Sequence, residues 1–281
     1  MTFGVANSAR RWLRRHPLLK AVVKTISAPV RGGVSRAYTR LGEVEKGQAT
    51  VALRGAWQTA TIPALQRRVV DAQLADFRAG VENRAFDTLV EFVQMLVDRA
   101  HLPGPSTVLE VGCSSGYHSE VFSFKHIGIQ YTGCDYSPAF IRMAREVYPT
   151  IPFTVADATA LPMPSDSFDI VISGCCLLHI ANFEEAIKES ARVSSRYVLF
   201  HRTPVLHMAP TTFFRKLAYG IQTIEIHFNE EELLSLFRKH GLSVIAISTL
   251  DISWKAGDAY ATKEYICEKS VPAGARDADG R

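Results

Sequence analysis

The sequence predicts an α/β fold built on a doubly wound, mainly parallel sheet and preceded by a helical N-terminal extension. Three observations carry that expectation. From about Thr107 onward, short β-branched or aromatic runs alternate with amphipathic stretches of helical period, the order that parallel strands joined by crossover helices require. Several helix starts are chemically marked. With 281 residues, 47% of them apolar, the chain is long enough to bury one substantial core.

Upstream of the sheet, residues 63–79 set Pro63, Leu65, Val69, Val70, Leu74 and Phe77 at helical spacing and stop at Gly80. Residues 81–99 place Phe86, Leu89, Val90, Val93, Leu96 and Val97 on one stripe, a helix expected to pack on the sheet. Seven strands follow, at 107–111, 129–135, 152–155, 168–173, 196–201, 242–250 and 262–269. Between them, Ser137-Pro138 reads as an N-cap with Pro at the first helical position, and Asn182-x-x-Glu185 and Asn229-x-x-Glu232 resemble capping boxes. Helices are therefore expected from about 138, 183 and 230, the last closing on Arg238-Lys239-His240-Gly241 as the helix dipole prefers. Residues 31–55, with their Gly and Ser and no periodicity, are expected to be a linker. The resulting division is a basic arm and linker at 1–45, a helical lid at 46–100, a ligand-binding domain at 101–270 and a frayed tail at 271–281.

The formal charge of +4 conceals an asymmetry, because residues 1–40 hold nine basic side chains and no acid, leaving −5 on the other 241 residues. The body is thus not expected to bind nucleic acid. The longest charge-free apolar stretch, 170–183, contains a His and an Asn and falls short of the roughly 20 residues a membrane helix needs. Five cysteines, odd in number and without a C-x-x-C, and the lack of a secretory apolar core suggest a reducing, cytoplasmic setting. The arm reads three ways: a helix lying on an anionic membrane, a mitochondrial transit segment, or a helix docked on the acidic body.

Val108-Leu-Glu-Val-Gly-Cys-Ser-Ser-Gly-Tyr117 is a buried strand that ends in a small-residue turn and runs into a helix. Such a turn lets a ligand approach the backbone and offers it helix N-terminal amides, although a tight connection without ligand has the same pattern. Asp135, 23 residues after Gly112 at the end of the second strand, suits the hydroxyls of a ribose. Asp157, at the end of the third, suits the exocyclic amine of adenine together with the amides that follow it. Glu110, Asp135 and Asp157 end three successive strands and so border one crevice.

With Leu-Glu-Val-Gly-Cys-x-Ser-Gly, Gly-Cys-Asp-Tyr-Ser-Pro, Ala-Asp-Ala-x-x-Leu-Pro and Ser-Phe-Asp-Ile-Val-Ile-Ser, residues 108–268 resemble a class I S-adenosylmethionine-dependent methyltransferase of the small-molecule type. The resemblance implies a Rossmann-like seven-stranded sheet in the order 3-2-1-4-5-7-6 with strand 7 antiparallel. It also implies S-adenosylmethionine as cofactor, with Glu110, Gly112 and Gly116 at the methionyl part, Asp135 at the ribose, and Asp157 with Ala158 at the adenine. Cys113, Ser114 and Tyr136 are the neighbouring cofactor positions. Ser114 stands where the family carries its middle glycine.

Methyl transfer is an in-line displacement that demands positioning first and a base only if the acceptor must lose a proton. The stretch Ser173-Gly-Cys-Cys-Leu-Leu-His179-Ile lacks the Asn/Asp-Pro-Pro-Tyr/Phe element of similar enzymes that act on nitrogen, so a small acceptor methylated at oxygen is expected. Carbohydrates, lipid-linked molecules and secondary metabolites all fit that description. His179 and His201 are the catalytic candidates, His179 also reading as a structural histidine or an acceptor hydrogen-bond donor. Arg202, His227 and, from the lid, Trp57 are candidates for contact with the acceptor, Arg202 alternatively forming a surface ion pair. Cys175, Cys176 and His179 give at most a partial metal shell, the cysteines falling on a strand expected to be buried, so no metal site is expected. The alternative of another class is a methyltransferase-like binding or scaffold protein without turnover.

Overall fold

The seven expected strands form one sheet in a computed structural model that describes residues 38–270 apart from 54, 256 and 257. In chain order the elements are β1 (Tyr38–Arg40), α1 (Glu43–Leu53), α2 (Ile62–Arg78), α3 (Arg84–Ala100), β2 (Ser106–Val111), α4 (Tyr117–Phe124), β3 (Ile129–Asp135), α5 (Pro138–Val147), β4 (Phe153–Val155) and β5 (Phe168–Gly174). Then come α6 (Phe183–Val193), β6 (Ser194–Leu206), β7 (Thr212–Ala218), β8 (Ile221–Asn229), α7 (Glu230–Lys239), β9 (Leu242–Lys255) and β10 (Asp258–Lys269). Short 3-10 turns sit at Ala56–Gln58 and Leu177–His179. The central order is β4-β3-β2-β5-β6-β10-β9, parallel except for β10, which runs antiparallel to both neighbours. This is the 3-2-1-4-5-7-6 arrangement. The basic arm before residue 38 and the tail from 271 lie outside the described residues.

Alternation along the strands divides the core. Val108, Ile170 and Leu199 pack with Leu89, Val93 and Leu96 of α3 and Ile141 of α5 on one face. Leu109, Val171 and Phe200 pack with Ile187 of α6 and Phe237 of α7 on the other. In the helix α2, Val70, Leu74 and Phe77 bury against Phe86 and Val121 in a cluster separate from the two that cover the sheet.

Four local expectations need correction. Residues 31–55 are not simply a linker: β1 pairs antiparallel with β7, and α1 occupies 43–53. The helix buries only Ala49 of its own residues, so it carries no apolar stripe that a periodicity argument can detect. Asn229 caps α7, its Oδ1 accepting from Glu232 N at 3.0 Å, whereas the side chains of Asn182 and Ser137 make no capping bond. The fifth strand does not stop at His201 but continues to Leu206, where its last two residues pair parallel with β8. Lastly, Cys175 and Cys176 lie beyond the end of β5 and are only half-buried.

That prolonged β6 carries an unforeseen annex, the β7–β8 hairpin with β1 on its edge. Its turn is Tyr219-Gly220, both at positive φ (50° and 79°), as a two-residue hairpin connection requires. One buried carboxylate fastens the annex. Glu225 Oε1 accepts from Tyr38 Oη (2.9 Å) and lies 3.0 Å from His227 Nε2, while Oε2 pairs with Lys216. Those partners overcome burial and hold Glu225 far below the usual carboxylate range.

Among the core aromatics, Phe237 is fully buried and stacks on Phe200 with centroids 4.4 Å apart, bridging α7 to the sheet. Phe237→Ala is expected to cost about 3–5 kcal/mol, read as a lowered midpoint in chemical denaturation.

Candidate functional site

The carboxyl ends of β2, β3, β4 and β5 converge on one crevice, and the β2–α4 turn at residues 112–116 forms its floor. Gly112 adopts φ +72°, and a side chain there would lie 2.7 Å from Cys176 Sγ. The turn is therefore pressed against the segment that follows β5. Gly112 N and Cys113 N both donate to Cys134 O (2.8 and 2.9 Å), tying the turn to the neighbouring strand. Ser114 is left-handed at φ +48°, a conformation costing a non-glycine residue roughly 1–2 kcal/mol.

Asp135 stabilises that strained turn. Its Oδ2 accepts from Ser114 N and its Oδ1 from Ser137 N, each at 2.9 Å, so one carboxylate joins the turn to the start of α5. Burial outweighs the two amides and pushes its pKa up to about 6. Around it the buried hydroxyls of Ser114, Ser115 and Ser137 have no hydrogen-bond partner among the described residues. Such orphaned groups mark a place built for a polar ligand.

Beside this floor lies a cavity of about 400 Å³ lined by Gly55, Gln58, Tyr136, Val155, Ala156 and Asp157. Asp157 Oδ1 accepts from Thr159 N and Oγ1, which fixes the carboxylate at the rim, with Ala158 half-buried next to it. The segment before α2 contributes directly, since Gln58 Nε2 donates to Tyr136 O at 3.4 Å.

Four expected contact residues are displaced from the crevice. Glu110 is 1% exposed and sits behind the turn, Oε1 lying 2.8 Å from His118 Nδ1 and Oε2 accepting from Tyr131 Oη. Its carboxylate thus ties α4 to β3, and Gly174 is required because a Cβ there would collide with that carboxylate. The Cys113 side chain is likewise buried, leaving only its backbone in the turn. His201 is sealed at 2% exposure, its Nδ1 lying 2.6 Å from Glu264 Oε1. Burial drives His201 toward neutrality and pushes Glu264 up to about 8, so the carboxylic acid donates to Nδ1. His227 is buried between Phe214 and Tyr260.

His179 and Trp57 do come together beside the crevice, and Arg202 stands within electrostatic range of the neighbouring Tyr219. His179 Nδ1 donates to Ile224 O at 2.6 Å, and Trp57 lies tilted over its ring at 4.9 Å. Burial lowers the His179 pKa to about 4, so the ring is neutral with Nε2 as hydrogen-bond acceptor. Tyr219, from the hairpin turn, reaches Trp57 at 6.1 Å and completes this wall. Its signal in the sequence was a Tyr-Gly pair between two runs of strand character, the second, Ile224-Glu-Ile-His-Phe228, cleanly alternating.

Residues 109–197 match a family described as methyltransferase domain. Over 116 residues the chain is 35% identical to 2-methyl-6-phytyl-1,4-hydroquinone methyltransferase of Synechocystis sp., covering 37% of this chain and 36% of that protein. It is 28% identical over 113 residues to trans-aconitate 2-methyltransferase of Paracidovorax citrulli, covering 40% and 44%. The chain thus spans less than half the length of these curated relatives. A solved S-adenosylmethionine-dependent methyltransferase from Methanosarcina mazei, 19% identical, superposes with a TM-score of 0.50 over 63% of this chain and 98% of that one. The fold is that of the class I S-adenosylmethionine-dependent methyltransferases, and the strained turn, the Asp135 carboxylate and the orphaned hydroxyls fit S-adenosylmethionine as cofactor.

Two measurements test this electrostatic picture. Since Asp135 loses its charge as pH falls through about 6, affinity for S-adenosylhomocysteine by calorimetry is expected to weaken between pH 7.5 and pH 5. Asp135→Asn is expected to bind more weakly at pH 7.5, by roughly 1.5–3 kcal/mol, and to lose that pH dependence. Folded Glu264 keeps its proton above the pH where the unfolded chain releases it, so wild-type stability is expected to fall between pH 6.5 and 8, by up to about 2 kcal/mol. In Glu264→Gln, whose amide still donates to His201, denaturation midpoints are expected to stay flatter across the same window.

Proposed function

We propose that this chain transfers a methyl group from S-adenosylmethionine to an oxygen of a small organic acceptor. The observation that carries the reading is the juxtaposition, across the Gly112–Cys176 contact, of a cofactor floor anchored by Asp135 and an aromatic wall of Trp57, His179 and Tyr219. When bound, the cofactor supplies an electrophilic methyl group on sulfur. Ser114 and Asp135 would hold its polar parts, with Asp157 and Ala158 at the rim for the base. The lid segment around Trp57 and Gln58 covers both sides and limits water. His179 stays neutral at physiological pH and orients an acceptor hydroxyl through Nε2, contributing position more than proton removal.

Oxygen is favoured by the missing nitrogen-holding motif after β5. Among the relatives, one is named for a phytyl hydroquinone and one for a tricarboxylic acid, which supports an acceptor of metabolite size for this chain. The excess of basic groups in residues 1–40 supports peripheral contact with an anionic membrane, and the five cysteines without a C-x-x-C support a reducing, cytoplasmic setting.

Incubation with methyl-deuterated S-adenosylmethionine and a metabolite extract is expected to yield, by mass spectrometry, a product carrying one labelled methyl on oxygen. Absence of any labelled product while S-adenosylhomocysteine still binds would leave the chain a binder without turnover. With the acceptor so found, His179→Ala is expected to lower turnover by about 10²-fold and His179→Gln to restore most of it, wild-type turnover not following a His titration between pH 6 and 8.

A further inference from the structure

The β6–β10 ladder is out of step at one place on the acceptor side. Phe200 pairs with Tyr265 and Thr203 with Lys263, so His201 and Arg202 together face the single residue Glu264. A bulge of this kind re-aims a side chain. His201 turns in to Glu264, while Arg202 adopts φ +55° and remains exposed. On the adjacent strand Gly174 pairs with His201, and the next residue, Cys175, is also left-handed at φ +59°. Two neighbouring strands thus break alternation at the same level, on the carboxyl edge where ligands of such sheets bind.

Arg202 is solvent-exposed although it stands between two sealed neighbours of the same strand, His201 and Thr203. Tyr117, at the start of α4, Cys175 and Tyr219 stand within electrostatic range of it. Of the nearby carboxylates, Glu225 is engaged by Lys216, Tyr38 and His227, while Glu264 bonds His201 through Oε1 and is held largely protonated by burial, so it offers Arg202 little charge. Among the described residues no ion pair or hydrogen bond is made by the guanidinium, and its pKa is held above the usual arginine value, first by the Cys175 side chain. A permanent cation beside aromatic rings and without a counter-charge in contact favours an anion, and the planar fork of arginine matches the two oxygens of a carboxylate. A phosphate dianion would call for a second cation, and the nearby Lys216 is committed to Glu225.

We propose that the methyl acceptor carries a carboxylate, which docks on Arg202 while its apolar body lies against Tyr117, Tyr219 and Trp57. This rests on the methyltransferase reading and names its substrate class. Full-length protein saturated with S-adenosylhomocysteine is to be titrated by calorimetry with benzoate, benzamide and phenyl phosphate. Benzoate is expected to bind at least ten-fold more tightly than either of the others. Arg202→Gln is expected to abolish the preference over benzamide, and Arg202→Lys to keep part of it, both retaining wild-type affinity for S-adenosylhomocysteine. Equal binding of benzoate and benzamide to wild type, a preference that survives in Arg202→Gln, or tighter binding of phenyl phosphate would overturn the proposal. Failure of wild type to bind S-adenosylhomocysteine would instead sink the methyltransferase reading itself, so the two failures are distinguishable.

Discussion

Two backbone amides on one carboxylate hold the ligand end of this molecule together. Ser114 N and Ser137 N belong to different loops, separated by a whole helix and strand, and both donate to Asp135. The bond to Ser114 pins a residue whose left-handed backbone costs free energy, and the bond to Ser137 sets where α5 begins. An aspartate at the end of a parallel strand is therefore more than a ligand contact. It aligns the surfaces that a cofactor must touch before any cofactor arrives, and its raised pKa records the cost of keeping a charge there.

Much of this was legible because parallel strands buried on both faces write themselves as apolar runs, and the helices between them advertise their starts. The turn at residues 112–116 and Asp135 stood out for the same reason, since a strand end followed by small residues has few structural meanings. The elements that the sequence does not announce have no such local signature. The helix α1 buries a single alanine, and β1 is three residues long and held from outside by β7 and by Glu225. A pairing partner, unlike a period, is not written in the segment itself.

The histidines illustrate a second limit. His179, His201 and His227 look alike in sequence, each near a strand end, yet their surroundings separate them. His179 borders the crevice beneath Trp57, His201 is sealed with a protonated Glu264, and His227 is stacked on Tyr260 within the annex. The deciding partners lie 45 to 63 positions away for the first two, beyond any window of local pattern. The annex that supplies several of them grows from β6 only because that strand runs past the sheet to pair with β8.

The contact between Gly112 and Cys176 leaves no slack between the cofactor turn and the segment that leads to His179. Close-packed groups of this kind transmit displacement instead of absorbing it. A ligand that shifts the turn by a fraction of an ångström therefore shifts the floor of the neighbouring cleft in the same stroke. Any coupling that this contact carries is reciprocal by thermodynamic necessity: the factor by which one occupant would tighten the other is the same in both directions.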